Sequence, residues 1–315
     1  MPIEITRYDS SKKEIWDNFV KTSKNGTFLF MRDYMEYHSD RFVDCSLMFY
    51  SKKELLAILP ANINNEEKTL TSHGGLTYGG FIMHTDTKFT DIQEMVNLLK
   101  MYMANNLNVE RLIYKPVPYI YNSYPSEEPL YALFQAGART TARSISTTIY
   151  NHEDIKFSQL RRRCIAKATK AGIECRMSED YGKFWEILDE ILQQRHCSKP
   201  VHTLEEIKLL HSRFPENIKL YTANLDREPI AGIVVYETEH VAHFQYIASS
   251  DEGCRTGALD LLISYLVNDI YPHKRYIDFG TSTEDNGRIL NTGLISQKEG
   301  FGGRGVVYDT YELDI

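Results

Sequence analysis

One order of elements occurs twice along this chain: opening helices, a run of antiparallel strands, one long apolar helix, then a strand. Cys45–Val117 and Ile218–Thr281 match in that order, with slight residue identity. In the first copy Cys45–Tyr50 and Leu55–Asn62 read as strands around the turn Ser51-Lys52-Lys53. Asp91–Asn105 follows as a helix with Ile92, Met95, Val96, Leu99 and Met103 on one stripe, and Val109–Pro116 returns as a strand. In the second copy Ile218–Asn224, Ile230–Glu237 and Val241–Ser249 form a three-stranded meander. The apolar helix Thr256–Asn268 and a short buried strand, Tyr276–Gly280, come next. A chain of 315 residues exceeds what one hydrophobic core ordinarily serves. The repeat therefore predicts two α/β (α+β) domains, 1–155 and 156–315, each a mixed, mainly antiparallel sheet flanked by helices.

The remaining pattern fits that division. Ile3–Tyr8 reads as a strand, Lys12–Lys21 and Met31–His38 as helices, and Thr69–Ile82 as an extended, glycine-interrupted run. Pro129–Ala136 reads as a helix and Thr140–Tyr150 as a β-branched strand. A basic helix, Phe157–Ala171, bridges the halves and stops at Gly172. Tyr181–Arg195 and Leu204–Phe214 read as helices, the second opened by a Thr203/Glu206 capping box. Gly287–Gly300 reads as mostly helical and Val306–Leu313 as a closing strand.

Composition narrows the class. A net charge of −7 argues against a surface built wholly for nucleic acid, DNA included, while leaving room for a local basic site. Five cysteines, an odd number with no CxxC spacing, argue against a disulfide framework or a zinc site; no metal is expected. The N-terminus lacks the basic-then-apolar order of a signal peptide. No window approaches the roughly 18–20 apolar residues of a membrane span. The expected location is cytoplasmic.

The most informative stretch is VAHFQYIASSDEGCRTGALDLL, Val241–Leu262. A strand runs into a loop with Gly253 and Gly257, and a helix is expected to start at Ala258. A helix N-terminus presents unpaired N–H groups and a positive dipole end. Small residues admit a diphosphate to those amides, and Arg255 adds a cation. Taken alone this signal is weak, because a glycine before a helix is in most proteins only a turn.

Strand–(basic)xxGxG/A–helix after an antiparallel meander resembles the pyrophosphate-binding motif of the GNAT acyltransferases. Only Arg255-Thr256-Gly257-Ala258 fits it neatly. The tail YIDFGTSTEDNGRILNTGLISQKEGFGGR resembles the C-terminal signature of the FemABX-like branch, whose members have two GNAT-like domains in tandem. The chain lacks the long helical-hairpin insertion of the tRNA-using cell-wall enzymes, which favours a CoA thioester donor. The resemblance thus implies an acyltransferase using acyl-CoA, acetyl-CoA first, as co-substrate. It implies a C-terminal donor domain, an N-terminal acceptor side and a small-molecule acceptor, possibly an anionic one. Aminoacyl transfer from tRNA to a cell-wall precursor, and a non-catalytic binding protein of the same fold, are the alternatives.

In the GNAT pattern the strand at Phe244–Ala248 splays from Tyr276–Gly280, and the gap takes the pantetheine arm. Gln245 and Tyr246 are the expected cleft residues, with Arg255, Thr256, Gly257 and Ala258 at the phosphates. Asn291 is either a donor contact or a helix cap. Glu284, Asp278 and His243 are the candidate general bases, with Asp278 equally able to tie down its loop. His243 and Gln245 alternate, which puts both on one face. On the acceptor side stand His73 and Tyr78 in SHGGLTYGG, Lys115, and Arg162, Arg163 and Lys167 on the basic helix. A bulged edge strand and a solvated helix face are the plain readings of these segments.

Overall fold

A computed structural model describes residues 2–151, 156–196 and 198–315. The expected junction at residue 155 and Cys197 lie outside the described residues. The chain forms two compact units that are not consecutive stretches. The first comprises Met1–Ser144, Thr283–Ile289 and Val307–Ile315, the second Ile145–Ser282 and Leu290–Val306.

In the first unit the elements in chain order are β1 (Ile3–Arg7), α1 (Lys13–Thr22), α2 (Arg32–Met35), β2 (Val43–Asp44), β3 (Leu47–Ser51) and β4 (Glu54–Leu59). Then come β5 (Asn62–Asn64), β6 (Thr69–Thr71), β7 (Ile82–Met83), α3 (Phe89–Tyr102), β8 (Arg111–Tyr114), α4 (Glu128–Gln135) and the start of β9 (Arg139–Tyr150). Strands β1, β3, β4 and β7 pair antiparallel in that order. The stripe predicted on Asp91–Asn105 is real, with Ile92, Met95, Val96, Leu99 and Met103 all buried. The α-helix itself ends at Tyr102, and a π-turn over Met103–Leu107 closes on Asn108 in the left-handed conformation. The glycine run does not form one extended strand. It is pinned instead by packing: a Cβ at Gly75 would sit 2.2 Å from His38 Nε2, and one at Gly79 2.1 Å from the Ser72 carbonyl oxygen.

In the second unit β9 ends and is followed by α5 (Gln159–Lys170), β10 (Glu174–Ser178), α6 (Tyr181–His196), α7 (Leu204–Arg213), β11 (Ile218–Leu225) and β12 (Glu228–Glu237). Next are β13 (Val241–Ser249), α8 (Asp251–Thr256), α9 (Ala258–Tyr265) and β14 (Tyr276–Thr281). The short strand β15 (Thr283–Glu284) falls in the first unit, β16 (Ile289–Leu290) spans the boundary, α10 (Thr292–Glu299) belongs to the second unit, and β17 (Arg304–Asp314) runs from the second unit into the first at Val307. The meander β11–β12–β13 is antiparallel, β10 adds to its outer side, and β13 pairs with β14 in parallel. Strand side chains alternate between faces. Ala231, Ile233 and Val235 of β12 enter the core with Ala258, Leu262 and Ile263 of α9. Gly232, between them, faces Phe184 of α6, whose ring would meet a Cβ there at 2.4 Å. Helices α9 and α6 therefore cover opposite faces of this sheet.

Candidate active site

Strands β13 and β14 are paired only over Val241–His243 and Tyr276–Asp278. Beyond His243 the register of β13 with β12 also slips, so that Val234 faces Tyr246 while Val235 faces Phe244. Gln245 is the extra residue of this bulge, and a bulge bends its strand. Past the fork, a cavity of about 570 Å³ opens along β13 from Phe244 to Ser249. Its other walls come from β14 (Phe279, Thr281), α9 (Leu259, Ile263), α10 (Leu294, Gln297, Lys298) and the end of α6. All of these residues belong to the second unit.

Two groups of polar side chains define the fork. Asp278 is fully buried. It accepts hydrogen bonds from the hydroxyls of Ser146 and Thr148, and His243 Nδ1 lies 2.8 Å from its other oxygen. Burial alone would raise the Asp278 carboxyl, but His243 and the two hydroxyls outweigh it and hold the group below the usual carboxylate range. Asp278 is thereby fixed as an orienting anion for the His243 ring. The second group is Lys298, 5% exposed, whose Nζ donates to the Gly280 and Thr281 carbonyls at 2.8 and 2.9 Å. Burial lowers its pKa to about 8, with Asp278 pulling weakly the other way. An ammonium has three N–H donors, so two are engaged at the end of β14. Lys298 lines the cavity. It stands in the KEGFGG tail, and its periodicity gave no sign of a buried cation.

The expected cleft residues are found as follows. Gln245 and Tyr246 both line the cavity. The Tyr246 hydroxyl is engaged by His202, 2.6 Å from its Nδ1, and burial pushes that phenol up to about 12. His243 is absent from the lining although it was expected to share a face with Gln245, because the bulge breaks strict alternation. Glu284 is exposed on β15, within the first compact unit, and does not line the cavity. Asn291 is the N-cap of α10, its side chain accepting from the Leu294 N–H at 3.0 Å.

The phosphate loop differs from its sequence reading. Asp251–Thr256 is helical, capped by Ser250, whose Oγ accepts from the Gly253 N–H. The helical start is thus seven residues before Ala258, with Asp251 and Glu252 in its first turn. Gly257, at φ +83°, ends that turn, and a Cβ there would lie 2.6 Å from the Cys164 carbonyl oxygen of α5. The glycine therefore admits the neighbouring helix. Thr256 Oγ1 is spent on the Glu252 carbonyl, and Ala258 is buried as the first residue of α9. Arg255 is exposed, and its carbonyl accepts from Lys167 Nζ, which brings these two residues together at the α5–α8 contact. Arg162 and Arg163 are exposed on α5. A Ser in the cap with an acidic first turn is itself a helix-start signal; the two glycines drew the reading away from it.

The acceptor-side candidates lie in the first unit. His73, at φ +63°, is buried and stacks on His38 with ring centroids 5.1 Å apart. Burial, then His38, lowers its pKa to about 3. Tyr78 is buried between Phe30 and Tyr121. Lys115 Nζ donates to the Leu76 carbonyl, and burial lowers its pKa to about 8. Among the described residues no group of His, Cys, Asp and Glu is arranged to hold a metal, and no helix is long and apolar enough to cross a membrane.

Residues 156–286 match the family model described as acetyltransferase (GNAT) domain. No curated protein sequence matches the chain. Among solved structures, the crystal structure of FemX is similar over 99% of this chain and 97% of its own, with a TM-score of 0.69 and 12% identity. L-PGS from Bacillus licheniformis is similar over 98% and 92%, with a TM-score of 0.61 and 12% identity. A tandem GNAT protein from the clavulanic acid biosynthesis pathway is similar over 99% and 98%, with a TM-score of 0.54 and 12% identity. Residues 156–286 are thus similar to GNAT acetyltransferase domains, and the chain has the fold of FemX and of the tandem GNAT protein, the fold that its repeat and tail signature predicted. Acyl transfer is the general chemistry of that domain class.

Proposed function

We propose that the protein transfers an acyl group from an activated carrier to an amine or hydroxyl of a small acceptor, with the reacting carbonyl held where β13 and β14 part. The observation that carries this reading is the fork itself. Past His243 and Asp278 the inner edge of β13 has no strand partner among the described residues, so its backbone N–H groups are available to a carbonyl oxygen. Lys298, anchored to Gly280 and Thr281, would supply the remaining N–H to the oxyanion of the tetrahedral intermediate. His243, oriented by Asp278, would take the proton from the attacking nucleophile as the new C–N or C–O bond forms. The carrier leaves with the electron pair of its bond to the carbonyl carbon.

The first reading of the carrier is an acyl-CoA thioester, acetyl-CoA being the simplest. The cavity's apolar walls at Phe244, Ile247, Leu259 and Phe279 suit an acyl-pantetheine arm, and Arg255 with Lys167 offers charge to its phosphates. The second reading is an aminoacyl-tRNA. It is favoured by the acidic, side-chain-capped start of α8, which repels a diphosphate at that helix end. In this scheme residues 156–315 hold the donor and residues 1–155 the acceptor side, with His73, Tyr78 and Lys115 its candidates. The protein would work in the cytoplasm, where both carriers are made.

The test is thermal denaturation with acetyl-CoA and, separately, with a short RNA bearing a non-hydrolysable aminoacyl end. A ligand at about 100 times its Kd adds roughly 2.7 kcal/mol to native stability. A rise in Tm with acetyl-CoA that Arg255→Glu diminishes supports the first reading. A rise with the RNA alone moves the carrier to the second, and no rise with either removes the donor site from this cavity.

A further inference from the structure

Helix α6 carries one apolar stripe with two fates. Its first half is core: Phe184 packs on Gly232, and Trp185 meets the Tyr246 ring edge-on at 5.2 Å. The stripe continues through Leu188 to Ile191 and Leu192 at i+3 and i+4 spacing. There the partners run out. Ile191 and Leu192 are only half-buried, and with Leu188 they form a wall of the cavity. Ile247 of β13, also half-buried, and Val201, 75% exposed, line the same space. A helix stripe whose last residues face a concavity loses burial it could have had from the chain itself, and such surfaces mark apolar ligand groups.

The geometry places this apolar end away from the phosphate-facing side. The segment Lys199–Val201 that covers it is fixed by His202, whose backbone N–H and Nδ1 both engage the Tyr246 hydroxyl. The α9 side and the α6 side of the cavity lie on opposite faces of the sheet and meet only where β13 and β14 part. A donor entering past α9 would have its carbonyl at Lys298 and anything beyond the carbonyl against α6. The cavity, at about 570 Å³, lies within the size range of small-molecule sites, and its lining runs from Lys298 to Leu188, Ile191 and Leu192 of α6.

We infer that the acyl group transferred is an apolar chain of several carbons, and that Ile191, Leu192 and Val201 set its length. This inference rests on the reading of the cavity as the donor site. Burying each further methylene is worth up to about fourfold in affinity, so binding should tighten along the series until the chain meets the α6 wall.

The experiment is calorimetric titration of the whole protein with acetyl-, butanoyl-, hexanoyl- and octanoyl-CoA, repeated on Leu192→Trp. Circular dichroism and Tm of the free variant confirm that it folds. The expected result is affinity rising at least tenfold from acetyl- to hexanoyl-CoA, with that ratio collapsing in the variant. A second variant, Val201→Trp, should compress the series in the same way without touching α6. Acetyl-CoA binding with affinity that is flat or falling along the series overturns the chain pocket and leaves the CoA reading intact. Binding by none of the esters overturns both together.

Discussion

Replacing Lys298 by Met separates stability from chemistry at the fork. The fall of the Lys298 pKa from 10.5 to about 8 means that burial disfavours its charged form by roughly 3 kcal/mol. Methionine removes that cost and keeps most of the side-chain volume. It also removes two charge-assisted hydrogen bonds, to Gly280 and Thr281. Leaving buried acceptors unpaired costs about 1–3 kcal/mol each, less where a carbonyl keeps another partner. The two effects oppose one another, and Lys298→Met should fall within about 2 kcal/mol of the parent at pH 7. Acyl transfer, read as thiol released from acyl-CoA with a panel of amine acceptors, should drop about 100-fold or more, the scale of losing one oxyanion donor. The pH dependence carries a definite sign. Below pH 8 the lysine is protonated in both folded and unfolded chains and the penalty is present in full. Between about 8 and 10.5 the unfolded chain binds the extra proton, so the parent gains stability relative to Lys298→Met across that window. A folded variant that transfers at the parent rate refutes the assignment of Lys298 to the oxyanion, and one destabilised by more than about 4 kcal/mol refutes the balance of burial against hydrogen bonding.

Two further substitutions test other parts of the account. Gly257→Ala forces a Cβ to 2.6 Å from the Cys164 carbonyl at a φ of +83°. It should cost about 2–4 kcal/mol in urea unfolding, from the left-handed backbone and the displaced α5; a loss under 0.5 kcal/mol would return that glycine to a ligand role. His73 is held neutral, with a folded pKa near 3. The parent should therefore be fully stable above about pH 6.5 and lose stability progressively as pH falls toward 3, while His73→Asn, which tolerates the positive φ, should show a flatter profile in acid melts; parallel profiles would contradict this.

The second domain was largely legible because its signals are local. The meander, the apolar helix after it and the Thr203/Glu206 capping box are all written in neighbouring residues. Asn291 offered two roles from sequence, and the capping one is what its hydrogen bond shows. The misread part is Ser250–Gly257, where two glycines suggested a loop. Both glycines serve packing: a Cβ on Gly253 would strike the Ile230 carbonyl at 2.3 Å, as one on Gly257 would strike Cys164. Close approach by a partner far along the chain has no local signature. The same holds for the bulge at Gln245, which depends on register with β12, and for the His38–His73 stack, made by residues thirty-five apart. Lys298 stands in the tail that carried the resemblance, yet the carbonyls that hold its ammonium lie 18 and 17 residues upstream at the end of β14.

The central claim is that the acyl carbonyl lies at the fork of β13 and β14. The most direct measurement is a crystal structure of the protein with an acyl-CoA or a non-hydrolysable analogue bound. The account predicts the carbonyl oxygen within hydrogen-bond distance of Lys298 Nζ or of a β13 backbone N–H beyond His243. A donor bound with its carbonyl outside this cavity, or a carbonyl that meets neither group, would contradict it.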